Sequence, residues 1–312
     1  GTNTLFHAIN RNKESYAANL KDSADLNKVK QLCAKADVVI QNFRPHVMKK
    51  LGLDYESLKA INPGLVYASI SGYGETGDWK DLPGQDLLAQ AKSGLMWLSG
   101  DADQAPTAMG LAVADQLAGN MAVQGILAAL VRRGLSGRGA HIQTSLLEAL
   151  IDFQFEVLTT HLNDADKSLP KRSAVNNAHA YLAAPYGVYA TQDSYVAIAM
   201  TPVDQLGALI GAPDLAAMHD KDKWFEQRDE IKQLLADHLK TRDTAHWMKL
   251  FVDADIWASE VLNWPEMFQS SSFQELDLIQ TLDLGEGKTI KAMRSPIRVD
   301  GEVLKSTKPA PT

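Results

Sequence analysis

Asp37-Val38-Val39-Ile40 and, further on, Leu65-Val66-Tyr67-Ala68-Ser69-Ile70 are the two stretches that decide the fold. Both are continuous apolar runs, the pattern of strands buried on two faces of a parallel sheet, rather than the alternation of a half-exposed antiparallel one. Asp25 to Ala36 reads as a short helix ahead of the first run. A second helix, Tyr55 to Ile61, lies between the runs and is stopped by Asn62-Pro63. Strand, helix and strand at this spacing predict a βαβ unit and so an α/β fold. The first run ends in Asn42-Phe43-Arg44-Pro45 and the second in Ser71-Gly72-Tyr73-Gly74. A loop at the carboxyl end of a parallel strand is where open α/β sheets hold their ligands.

Outward from this unit, a loop from Glu75 to Gly84 leads to a helix at Asp86 to Leu98. A long helix of small residues follows, from about Gln116 to Arg133. After a strand at Ala140 to Gln143, Ser145-Leu146-Leu147-Glu148 has capping-box spacing at the head of an apolar-periodic helix reaching Leu162. Polar residues from Asn163 to Asn177 read as a linker. Tyr186 to Ala190 and Tyr195 to Met200 then form an antiparallel pair, followed by helices near Lys223–Leu239, Thr244–Phe251 and Trp264–Phe273. The expected domains are a large parallel-sheet domain over 1–172, a smaller α+β domain over 178–283 and an irregular extension over 284–312 that returns to the large domain.

At 312 residues, with 45% apolar and 22% charged side chains, the chain can bury a proper core. Its formal net charge of −7 has the wrong sign for whole-surface attraction to nucleic acid or anionic lipid, so neither is expected as a partner. Any anionic ligand must meet a local basic patch. The richest apolar stretch, Leu111 to Val131, is broken by Asp115, Gln116, Asn120 and Gln124 and is no membrane span. A single cysteine, Cys33, reads as a core thiol, and a cytoplasmic setting is expected. The opening Gly-Thr-Asn-Thr, without Met, reads as a processed, trimmed or fragmentary start.

Generic motifs mostly fail on context. Gly72-Tyr73-Gly74-Glu75-Thr76-Gly77 fits G-x-G-x-x-G, but a loop follows where a dinucleotide site needs a helix N-terminus. Gly287-Lys288-Thr289 lacks the earlier glycine of a phosphate-binding loop, and no histidine or cysteine spacing suits zinc. What remains is Asp115, set in the small-residue run Ala112-Val113-Ala114-Asp115-Gln116. It reads both as the N-cap of the helix behind it and as a buried, poorly hydrated carboxylate suited to attack an acyl carbon.

Taken together, these residues resemble the class III coenzyme A transferases, a family that also includes α-methylacyl-CoA racemases. Asn10-Arg11-Asn12-Lys13-Glu14-Ser15 is similar to the family's N-R-x-K-x-S segment. Ala36 to Pro45 with Met48-Lys49-Lys50-Leu51-Gly52-Leu53 is similar to its A-D-V-x-x-x-N-F-R-P…LGL block. Ser69 to Gly74, Gly84-Gln85-Asp86, Gly125 to Leu130 and Gly137-Arg138-Gly139 follow in family order.

The resemblance implies a Rossmann-like large domain and coenzyme A, carried as acyl-CoA, as the only cofactor, with no metal. It implies a catalytic aspartate at Asp115, attacking the thioester to give an aspartyl anhydride and then aspartyl-CoA, with small carboxylic acids as acceptors. It places CoA contacts at Asn42, Phe43, Arg44, Lys49, Lys50, Leu51, Gly72 and Gln85, and substrate-adjacent residues at Gln85, Asp86 and His179. The racemase branch carries histidine where this chain has Gln85, and an amide cannot carry the second proton, so transfer is favoured. Racemisation and an inert CoA-binding relative are the other readings. The resemblance further implies an interlocked homodimer and a strand–turn–helix unit ahead of Gly1. The glycine-rich loop of formyl-CoA transferases has no match, since Ser173 to His179 contains no glycine.

Overall fold

The computed structural model describes residues 3–166, 168–306 and 308–311. They form two compact units, residues 20–261 and residues 1–19 with 262–312.

The larger unit is built on a three-stranded parallel sheet, β1 (Val38–Gln41), β2 (Val66–Ser71) and β3 (Ala140–Ser145), with β2 in the centre. Val38 pairs with Val66 and Ser71 with Ser145, so the carboxyl ends of β2 and β3 finish level. Both faces of the central strand β2 are covered, as its unbroken apolar run requires, while β1 at the edge leaves Ile40 exposed. Val66 and Ala68 pack with Ile126 and Ala129 of the long helix, while Leu65 and Tyr67 pack with Leu53 and Leu58 on the other side. Tyr67 donates its hydroxyl to the Leu53 carbonyl at 2.9 Å, so its buried oxygen is satisfied. Cys33 sits at the margin of this layer, half-buried, and burial pushes its thiol above the ordinary range.

Six helices frame the sheet: α1 (Ser23–Lys35), α2 (Val47–Leu51), α3 (Tyr55–Lys59), α4 (Asp86–Ser93), α5 (Val113–Ser136) and α6 (Leu146–Phe153). The helix expected to run on to Leu162 breaks at Gln154. Its side chain turns aside to donate to the Ser93 and Leu150 carbonyls, and a new helix, Phe155–Asn163, starts behind it.

Two glycines set how closely these layers approach. A Cβ on Gly125 would meet Ile142 Cγ2 at 2.7 Å, which is why α5 can lie against β3. A Cβ on Gly139 would meet the Leu65 carbonyl oxygen at 2.0 Å, where the Gly139 N–H bonds the Pro63 carbonyl.

Further along the same unit, Gly187–Ala190 and Tyr195–Ile198 form the expected antiparallel pair, and Ala258–Glu260 adds a third strand that the sequence reading did not include. Tyr189, Ile198, Leu206, Leu235, Trp247 and Phe251 fill a separate core against this sheet. The stretch 163–177, expected as a polar linker, is anchored instead. Arg172 donates to the Ser99, Ala102 and Gln104 carbonyls, and Asn177 donates to those of Leu98 and Gly100. Lys232, fully buried, donates to the Asn176 carbonyl at 3.2 Å.

In the second unit, residues 1–19 pack with the tail, whereas the sequence reading put them in the large domain. The Asn12 N–H donates to the Lys308 carbonyl, and Lys308 Nζ pairs with Glu14 at 2.9 Å. The tail is more regular than its Gly and Pro content suggested. Ile279–Asp283 and Thr289–Met293 form an antiparallel hairpin, turned by Gly285 and Gly287 at positive φ. Alternating exposure along Ile279–Asp283, with Gln280 and Leu282 facing in, is the period-two signal that was available in the sequence.

Gly139→Ala should cost about 3 kcal/mol, because the methyl meets the backbone of Leu65, the residue that leads into the central strand. Gly134→Ala, in open space on α5, should gain about 0.5–1 kcal/mol through helix propensity. Urea unfolding of the two variants beside the parent checks both signs.

Candidate active site

Asp115 lies in the first turn of α5, at the carboxyl end of the parallel sheet. The sequence allowed it to be that helix's N-cap, and it is not. The cap position is Ala112, which has no side-chain oxygen to offer. The first turn is closed from a distance instead. Asp86 Oδ2 accepts from Ala114 N at 2.7 Å and from Asp115 N at 3.1 Å. The other carboxylate oxygen of Asp86 accepts from Gln90 Nε2 at 2.6 Å. Asp86 thus satisfies α5 from the first residue of α4.

A cleft of about 410 Å³ opens beside this junction. Asn42, Phe43, Arg44 and Pro45 form one wall, from the loop after β1. Ile70, Ser71 and Gly72 come from the end of β2, Lys80, Leu82, Pro83 and Gly84 from the loop behind it, and Asp115, Ala118 and Gly119 from α5. That loop is cinched at its neck by two glycines. A Cβ on Gly72 would stand 2.6 Å from Gly84 Cα, and one on Gly84 2.5 Å from Gly72 Cα, so only glycine fits at either place. Within the loop, Tyr73 donates to the Pro83 carbonyl at 3.2 Å, and Lys92 of α4 stands 4.2 Å over the Trp79 ring.

The Asp115 carboxylate is exposed in the single chain, where the apolar run around it suggested burial. It lies open on one side. Partial burial of the rest, with the Asp86 carboxylate as a second cause, holds its pKa above the ordinary aspartate value. Arg44 and Lys80 are the cations lining the same cleft.

The loop carrying Asn42, Phe43 and Arg44 is braced from below. Gln41 Oε1 accepts from Phe43 N at 2.9 Å, and Gln41 Nε2 donates to Ser69 Oγ at 3.0 Å. That leaves the Ser69 hydroxyl proton free to go to His141 Nε2, 2.9 Å away. Burial lowers the His141 pKa, which favours the neutral ring that can accept it. The ring stacks on Tyr55 at 4.9 Å. A smaller hollow of about 260 Å³ lies on this side, lined by Arg44, Lys49, Tyr55 and His141 among others, and shares Phe43 to Pro45 with the first.

The structure therefore brings Asp115 together with Asn42, Phe43, Arg44 and Gly72, and sets Lys49 in the adjoining hollow. Lys50 and Leu51 line neither space. Gln85 is the N-cap residue of α4, exposed and without a side-chain cap bond. Asp86 turns its carboxylate to α5 and is absent from the cleft wall. His179 is half-buried elsewhere, with Nδ1 accepting from Tyr181 N and Nε2 3.7 Å from Glu156. Sequence reasoning missed Lys80, Gly84, Gln90, Ser69 and His141. Ser69 and Gly84 lie in segments quoted above with no role assigned to them, and Gln90 carried the signal of standing four residues after Asp86 on one helix face. Among the described residues no three His, Cys, Asp or Glu side chains converge as metal ligands, and no helix is long and apolar enough to cross a membrane.

The model of CoA-transferase family III matches residues 1–312. Succinate–glutarate CoA-transferase of Agrobacterium fabrum is 33% identical over 318 aligned positions, covering 98% of this chain and 77% of the relative. Acetyl-CoA:oxalate CoA-transferase of Acetobacter aceti is 36% identical, covering 84% of this chain and 68% of the relative. The crystal structure of a CAIB/BAIF family protein from Brucella suis superposes with a TM-score of 0.79 at 29% identity, covering 98% of this chain and 80% of that one. The chain belongs to CoA-transferase family III and is an enzyme of that class.

Glu148, the other carboxylate near the cleft end of β3, has a structural task. Ser145 Oγ accepts from Glu148 N at 3.1 Å and donates to Glu148 Oε2 at 2.6 Å, a reciprocal cap at the start of α6. Glu148→Gln should leave turnover intact and cost about 1 kcal/mol at most, read by steady-state kinetics and thermal unfolding.

Proposed function

We propose that this enzyme moves CoA from an acyl-CoA donor to a small carboxylic acid through covalent intermediates on Asp115. What supports the reading is that a single cleft joins the Asp115 carboxylate to Asn42, Phe43 and Arg44, the residues expected to hold CoA. An Asp115 carboxylate oxygen attacks the thioester carbonyl, the C–S bond breaks, and CoA leaves as thiolate with a mixed anhydride formed. The thiolate then attacks the aspartyl carbonyl, expelling the donor acid and leaving aspartyl-CoA. The acceptor carboxylate attacks that thioester, giving a second anhydride and freeing the thiolate. Thiolate attack on the acceptor acyl carbon yields the new acyl-CoA and restores Asp115. One hard exchange becomes a series of easier ones, and no net proton is taken up or lost.

A carboxylate held above the ordinary aspartate value is more basic, and so a stronger nucleophile in its ionised form. The relatives named above act on succinate and glutarate or on oxalate, so a dicarboxylic acid is the acceptor class we propose for this chain. Racemisation needs a second acid/base, and Gln85 supplies an amide at the family's histidine position. A cytoplasmic setting belongs to the same reading and rests on the lone thiol.

The active unit we propose is an interlocked homodimer. Asp115 is uncovered in the single chain, and α5 exposes Val123, Leu127, Val131 and Leu135, an apolar stripe at helical spacing that calls for a partner surface. In that dimer, residues near His179 would complete the cleft of the other subunit. Sedimentation over a wide dilution range should show no folded monomer, and a folded monomer at low concentration would remove the interlocked arrangement.

Asp115→Asn should fold, bind CoA and retain less than about a thousandth of the transfer rate. Incubation with acyl-CoA and then hydroxylamine should convert Asp115 to a hydroxamate, found by peptide mass. Activity above that level, or modification elsewhere, would sink the assignment.

A further inference from the structure

The stretch before α5 is poorly tied to the rest of the fold. Met109 and Leu111 are exposed, and residues 108 to 112 have no regular structure. Four of the backbone groups that bring the chain from there into α5 are held by two side chains of α4. Asp86 accepts from Ala114 N and Asp115 N, at 2.7 and 3.1 Å. Gln90, only 1% exposed, accepts from Met109 N at 2.9 Å and donates to the Leu111 carbonyl at 3.3 Å. Its amide also donates to Asp86 Oδ1, which fixes the orientation of the carboxylate that reaches α5.

A buried amide with each of its polar atoms bonded is a stiff part. The strand-to-helix loop is closed at Gly72 and Gly84, so the start of α4 is held in turn from β2. The resulting chain of contacts runs from the central strand, through the glycine neck at the cleft wall, to the backbone of Asp115.

We infer that Asp86 and Gln90 are positioning residues for the Asp115 carboxylate, setting both where it stands and how readily it gives up its charge. This rests on the reading of Asp115 as the nucleophile. Neither residue lines the cleft, so they act through Asp115 and leave CoA binding to the loop after β1. The charges that face Asp115 are the Asp86 carboxylate from α4, Arg44 from the loop after β1 and Lys80 from the loop after β2. Asp86 opposes the ionised form and the two cations favour it. Partial burial and Asp86 together win, since the shift is upward. A simple helix cap would move stability and leave the pH profile of the reaction alone.

The test compares Asp86→Asn, which keeps the shape and drops the charge, with Asp86→Glu, which keeps the charge and lengthens the reach. Asp86→Asn should move the acid limb of kcat/KM to lower pH, because one opponent of ionisation is gone. Asp86→Glu should leave that limb in place and lower kcat by about a hundredfold, the size expected for a displacement near 1 Å, with KM for acyl-CoA little changed.

If Asp86→Asn does not fold, Gln90→Glu reads the same contact. A protonated Glu can donate to Asp86 and an ionised one cannot, so its activity should fall with rising pH over a range where the parent is flat. An unmoved acid limb in Asp86→Asn with undiminished kcat in Asp86→Glu overturns the inference, and so does a parent-like profile in Gln90→Glu. Hydroxylamine trapping separates the two readings. If the parent is not modified at Asp115, the nucleophile assignment fails. If it is, and the Asp86 variants trap at the parent rate, the positioning role alone fails.

Discussion

One carboxylate ties the starts of two helices together. Asp86 begins α4, and its side chain takes the N–H groups with which α5 begins, because Ala112 offers no oxygen of its own. The Ala114 amide is buried, so leaving it unbonded would cost about 1–3 kcal/mol. That is a large share of a protein's net stability, and it explains why a carboxylate is brought to a place where another carboxylate must stand nearby. The like-charge repulsion is the smaller effect and the chemically useful one. From this contact the order of the cleft follows. β2 fixes the glycine neck, the neck fixes α4, and α4 fixes the start of α5.

The electrostatics divide by distance. A net charge of −7 repels an anion such as CoA from afar, but screening confines that field to about 8–10 Å at physiological salt. Within the cleft and the hollow beside it, Arg44, Lys49 and Lys80 present the opposite sign. None of the three has an ion-pair partner among the described residues. An anionic ligand would therefore meet cations that need not first be detached from protein carboxylates.

The parallel sheet was legible because burial of β2 on both faces leaves a simple mark, the unbroken run Leu65–Ile70, and Val38–Ile40 carries the same pattern at the sheet edge although Ile40 is exposed. Asp115 was legible as an unusual residue, a charge inside a small-residue run. Its cap was not legible. Asp86 lies far back in the chain, and nothing in the sequence says that two helix starts converge. The same limit applies to the Gly72–Gly84 neck and to the Ser69–His141 brace, each a meeting of residues that no periodicity connects. The tail was misjudged for a different reason. Gly285 and Gly287 suggested irregularity, yet they are the turn of a hairpin whose strands carry the alternation expected of one.

Lys232 adds a proton-linked term to the stability of the anchored stretch. Burial, with Arg228 as a second cause, pushes its ammonium down to about 8 from the ordinary 10.5, while its nitrogen still donates to Asn176. In the unfolded chain the amine keeps its proton up to the ordinary value. Between these two pH values the unfolded state binds more protons than the folded one, so unfolding free energy contributed by this residue rises as pH rises. Below about pH 8 the folded protein carries the full burden of a buried cation. The deprotonated amine retains two donors, so the bond to Asn176 survives the loss of charge. The segment that the sequence presents as a loose tether is in this sense a strut, and the contribution of Lys232 to it grows as pH rises above about 8.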